Sequence, residues 1–192
     1  MAKLILGRYT RQSLWTLFLM CALPLHIWTL ILAFRDIPWL TDRTNAWDAF
    51  GVMSYGLIFA LTESVMLFLV FVLLGMLVPK SWEPDRRVNL LSAFVLILSL
   101  WAMISQLFFL AGVRLPDGII ALLVRSPHPL WIIYGTLLTL TGISFLLPAW
   151  AALRPGKGLR GVAAAVERLG LLAVLYLVFD AAALVIVVIR NL

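Results

Sequence analysis

Two carboxylates and one imidazole stand in this sequence where titratable side chains are rare. Glu63 is the only charged residue between Asp48 and Lys80, and Asp180 is the only one between Arg168 and Arg190. His26 lies in an uncharged run from Gln12 to Phe34. The surrounding residues are apolar enough to sit in lipid. There an ionised side chain costs about 2.5 to 3.5 kcal/mol at the centre, so such a group faces a protein interior, a partner or water. No Lys or Arg occupies the central part of these runs. Neither acid therefore has a cationic partner at its own depth. The chemistry left open is a protonated acid, a pair sharing one proton, a contact with His26, a bound cation, or a group on a partner subunit.

The neighbours of these residues extend the candidate set. His26 follows Pro24 by two positions, and the missing proline N–H frees the Met20 carbonyl and permits a local kink. Ala173, Tyr176, Asp180 and Ala183 recur at helical spacing, a small-residue stripe that lets another backbone approach with the acid at its centre. Phe59, Glu63 and Met66 or Leu67 form the corresponding stripe, flanked by Thr62 and Ser64. Ser92, Ser99 and Gln106 repeat every seven residues and share a face expected to point inward. Glu63, Asp180 and His26, with Gln106 and Tyr176 as hydrogen-bonding neighbours, are thus candidates for a midplane site that binds a proton, a cation or a small cationic solute. The competing role for the same residues is a polar seam that holds a bundle or a larger complex in register.

These residues can be placed only by long apolar helices. Hydrophobic residues make up 64% of the chain, charged residues 12%, and the mean hydropathy is +1.06, far outside the soluble globular range. About 20 apolar residues cross a hydrocarbon core of roughly 30 Å. Five runs pass that test: 14–34, 49–78, 90–112, 131–153 and 171–189. The expected fold is therefore an all-α integral membrane bundle of about five transmembrane helices, a single polytopic domain over 1–192. Ten of the fifteen Lys and Arg fall in the N-terminus and in the second and fourth loops, which places the N-terminus in the cytoplasm. Six of the eight tryptophans lie near the expected interfaces, as an aromatic belt requires. The short apolar run 119–124 is bracketed by Pro and Gly, cannot span, and reads as an interfacial or re-entrant turn.

Other functions find little support. The formal charge of +6 sits in loops beside apolar runs and suits anionic lipid headgroups, so no nucleic-acid partner is expected. Cys21 is the only cysteine, so neither an internal disulfide nor a Cys-rich metal site is available. One His and two acids from three separate runs have no ligand spacing, and His128 lies in a Pro-flanked loop, so no metal, haem or other cofactor is expected. No H-E-x-x-H, G-x-S-x-G or phosphate-loop pattern is present, and no residue is assigned a catalytic role. Leu159, Val162, Val166 and Leu169 give the fourth loop an apolar face expected to lie on the cytoplasmic leaflet. Tyr55-Gly56 with Leu61-Thr62 recurs as Tyr134-Gly135 with Leu140-Thr141, a pattern that would suit a parallel repeat.

Taken together, the residues lead to a small multi-pass protein of the cell membrane. Its leading role is a proton- or cation-linked transporter or transport subunit. The alternative is a non-catalytic accessory or assembly subunit, whose partner is another membrane subunit or a second copy.

Overall fold

The computed structural model describes residues 9–153 and 157–192, with the side chains of 151 and 157–160 left aside. Every regular element among the described residues is helical: α1 (Arg11–Arg43), α2 (Ala46–Leu74), α3 (Pro84–Leu110), α4 (Asp117–Arg125), α5 (Pro129–Leu153) and α6 (Lys157–Asn191). All but α4 are long and apolar enough to cross a membrane. The protein is an all-α membrane bundle of five spanning helices.

α1 begins at a reciprocal cap. The Ser13 backbone N–H donates to Thr10 Oγ1 at 3.0 Å, while the Thr10 N–H donates to Ser13 Oγ at 2.8 Å. At 1.5 Å per residue its 33 residues extend about 50 Å, well beyond the hydrocarbon core. The helix runs through Pro24 and Pro38 and replaces most of the loop expected after residue 34. Pro38, which has no N–H to offer the Phe34 carbonyl, lies beyond the apolar run 14–34, and the Thr41 hydroxyl donates to the Ile37 carbonyl at 3.0 Å. Only Thr44 and Asn45 remain between the helices. Asn45 Oδ1 accepts from the Asp48 N–H at 2.9 Å and starts α2.

α2 stops at Leu74 and not at residue 78, although Met76, Leu77 and Val78 are apolar. The last turn tightens ahead of Pro79, which has no N–H to continue the ladder: the Met76 and Leu77 N–H groups donate to the Leu73 and Leu74 carbonyls at 3.0 and 2.9 Å. Gly75 lies so close to the Tyr9 hydroxyl and Leu91 that a Cβ there would collide with both, and the Tyr9 hydroxyl donates to the Val72 carbonyl at 3.2 Å. Arg87, only 1% exposed, reaches back to donate to the Pro79 carbonyl at 3.0 Å and lies over the Tyr9 ring. α3 closes in a Schellman turn, with Gly112 at φ 59° and the Val113 N–H donating to the Phe108 carbonyl at 3.2 Å. The run 119–124 forms the nine-residue α4, which buries none of its side chains and is too short to span.

α1 is the hub of the bundle. One side packs Leu17 and Cys21 against Phe71 and Val72 of α2 and Val88, Leu91 and Val95 of α3. The other packs Leu19, Met20 and Leu23 against Val166, Ala173 and Tyr176 of α6. Val162, Val166 and Leu169 thus belong to the core of the bundle, and α6 runs without a break from Lys157. This corrects the expectation of a separate segment lying on the leaflet; the Leu159 side chain falls outside the described set. α5 is peripheral. It is held by Trp101 Nε1 donating to Ser144 Oγ at 3.1 Å, by the edge-to-face pair Phe94 and Phe145, and by Arg86 Nε donating to the Ala152 carbonyl. The two Tyr-Gly segments differ in packing: Gly56 abuts Thr29, whereas Gly135 faces open space.

Candidate functional site

α1 and α6 run parallel, with Leu19 and Met20 beside Gly170 and His26 beside Asp180. Asp180 sits on the α6 line that includes the buried Ala173 and Ala183, whose small side chains let α1 come close. The imidazole is fully buried and Asp180 is 4% exposed. His26 Nδ1 lies 2.8 Å from the Ala22 carbonyl, and Nε2 lies 2.9 Å from each Asp180 oxygen. A carbonyl can only accept, so Nδ1 carries a proton and donates to Ala22. One further proton is then shared between Nε2 and the carboxylate. Either Nε2–H donates to an ionised Asp180, or a protonated Asp180 donates to Nε2. The pair has zero net charge in both forms, which suits a buried site.

Tyr176, one turn before Asp180, stacks its ring over His26 at a centroid distance of 6.0 Å and an angle of 10°. It enters as an aromatic wall; no hydrogen bond of its hydroxyl occurs among the described residues. Gln106 does not join this contact. It is exposed at the far end of α3 and lines a cleft of about 100 Å³ with Pro24, Trp28, Ser99 and Met103. The face that begins with the buried Ser92 thus turns outward before it reaches Gln106.

Glu63 stands apart. The buried face of α2 passes through Ala60 and Ser64, whose hydroxyl donates to the Ala60 carbonyl at 2.6 Å. Glu63 is exposed between Phe59 and Met66, which are themselves 69% and 64% exposed. No hydrogen bond or ion pair reaches it among the described residues. The two acids therefore do not share a site: one is satisfied inside the bundle and the other faces out of it.

Two polar features went unrecognised in the sequence. Arg190 Nη2 donates to Asp48 Oδ1 at 2.9 Å and Nη1 donates to the Trp47 carbonyl at 2.7 Å, clamping the end of α6 to the start of α2. Their matching positions at the outer ends of two runs were the available signal. At the opposite end, a cleft of about 340 Å³ opens between α1, α3 and α6, lined in part by Gln12, Thr16, Asp85, Asn89 and Glu167. Neither cleft is lined by His26 or Asp180. Among the described residues no three His, Cys, Asp or Glu side chains come together as metal ligands. Chemically, the buried pair can hold one proton and pass it across a 2.9 Å contact, and Glu63 can accept a donor from outside the chain. Comparison with protein family models, with curated proteins and with solved structures finds no match to this chain.

Proposed function

We propose that this protein is a non-catalytic, membrane-embedded subunit of a larger membrane complex. The observation that carries this reading is Glu63, an exposed carboxylate on a spanning helix with no partner among the described residues. Left against lipid in ionised form it would cost about 2.5 to 3.5 kcal/mol, a penalty that a docked partner removes. Asp180 makes no such demand, because His26 already answers it. The test is the mass of the chain extracted from its native membrane in a mild detergent, read by size exclusion with light scattering. The expected particle is well above 21.5 kDa and holds a second polypeptide in fixed ratio. A particle containing one copy of the chain alone would overturn the reading.

A second reading, proton- or cation-linked transport, is favoured by the proton-sharing pair His26 and Asp180. It requires a conformation in which water reaches that pair. Proton flux in sealed proteoliposomes that Asp180→Asn abolishes while folding stays intact would support it, and absence of wild-type flux would remove it.

A further inference from the structure

We infer that the outer face of α2 docks a transmembrane helix of a different protein carrying a Lys or Arg near mid-membrane, with Glu63 as its counter-ion. This rests on the subunit reading above and specifies the partner's chemistry. Val52, Phe59, Met66 and Val70, each at least half exposed, recur at helical spacing with Glu63 at the centre of the stripe. Such a surface fits a second helix along its length. Glu63 lies 16 residues from Trp47 and 11 from Leu74, about 24 Å and about 16 Å along the axis. The charge is therefore deep in the hydrocarbon and out of reach of headgroup amines.

Charge complementarity selects a basic occupant. A lone Lys or Arg in another helix carries the same insertion penalty as Glu63, and pairing relieves both. Phe59 and Met66 supply apolar walls along which the aliphatic stem of such a side chain can lie. A second copy of this chain does not meet the requirement. No spanning run holds a Lys or Arg in its central part, and two copies joined through this face would set Glu63 against Glu63. The hydroxyls of Thr62, Thr139 and Ser144 already donate within their own helices, and the exposed Thr136 could offer a neutral hydrogen bond but no counter-charge. Gln106 lies 22 residues, about 33 Å, from the start of α3, so its amide sits nearer the far surface than Glu63.

The experiment uses the full chain, donor-labelled in phosphatidylcholine vesicles, with acceptor-labelled polyleucine transmembrane peptides holding Lys, Leu or Glu at the central position. Energy transfer is expected to show the Lys peptide binding at least tenfold more tightly than the Leu or Glu peptide. Glu63→Gln should remove that preference and Glu63→Asp should keep it, with helix content by circular dichroism unchanged in both. Equal binding of the Lys and Leu peptides, persistence of the preference in Glu63→Gln, or Glu63-dependent association of two copies of the chain would each overturn the inference. A native particle of high mass combined with indifference to the Lys peptide would leave the subunit reading standing while the basic helix falls. A one-copy native particle removes the subunit reading whatever the peptides do.

Discussion

The seam between α1 and α6 and the outer face of α2 each carry one carboxylate deep in a spanning helix, and the fold treats them in opposite ways. At the seam, Ala173 and Ala183 bring α6 against α1, an imidazole meets both oxygens of Asp180, and the site is closed. On α2, the face that packs inward passes through Ala60 and Ser64, and Glu63 projects among exposed Phe59 and Met66. The contrast teaches that an intramembrane acid has no single meaning. One that finds its counterpart within the chain ties helices together, whereas one that does not leaves a specific unmet demand on the surface. Depth alone would not separate the two; the side of the helix does.

The comparison can be broken first at the level of insertion. Replacing Glu63 with Leu is expected to improve the apparent insertion free energy of the α2 segment by about 3 to 4 kcal/mol. The quantity is read as the inserted fraction of a glycosylation-tagged segment; no gain would mean that Glu63 lies at the interface and was never a midplane charge. Next in size, Asp180→Ala leaves buried His26 Nε2 without its partner and should lower the unfolding free energy by about 1 to 3 kcal/mol. Glu63→Ala in the isolated chain should stay within about 0.5 kcal/mol. Unfolding in mixed micelles followed by circular dichroism measures both, and equal losses would erase the distinction between seam and surface.

The double replacement His26→Leu with Asp180→Leu sharpens the same point. Removing both polar partners should leave the protein within about 1 kcal/mol of wild type, because no orphaned group remains. A loss as large as that of Asp180→Ala would show that the pair contributes more than mutual satisfaction. A small effect is also expected at Arg190→Ala, below about 1 kcal/mol and shrinking as salt is raised, since its partner Asp48 is 41% exposed.

The sequence made the five spans legible because lipid imposes length and apolarity on every crossing segment. Their ends were less so. Hydropathy extends the second span through Val78, whereas α2 ends four residues sooner at Leu74, where the last turn tightens ahead of Pro79, a change of hydrogen bonding that hydropathy does not register. The first apolar run ends at residue 34, whereas α1 continues through Pro38 to Arg43. The burial of Asp180 was readable from the alanines around it, and a contact with His26 was among the alternatives that the missing cations left open. The outward turn of Glu63 was not readable. α2 is apolar on all sides, so its pattern carries little signal of which side faces the bundle, and the inner one is marked by the small residues Ala49, Gly51, Ser54, Ala60 and Ser64. Gln106 was misjudged because a seven-residue repeat preserves a face only while the neighbouring helix stays beside it, and the face exposed at Gln106 is buried at Ser92.

The link between His26 and Asp180 also sets a timetable for synthesis. The two residues are 154 positions apart in the chain. At roughly 5 to 20 residues per second, a ribosome takes about 8 to 30 s to pass from one to the other. For that interval the imidazole on α1 is in the membrane without its acid, while the α1–α2 hairpin and α3 are already able to assemble around it. Arrival of α6 is therefore the event that neutralises an open polar defect. A chain stalled before Asp180 would display that defect to whatever machinery inspects half-made membrane proteins.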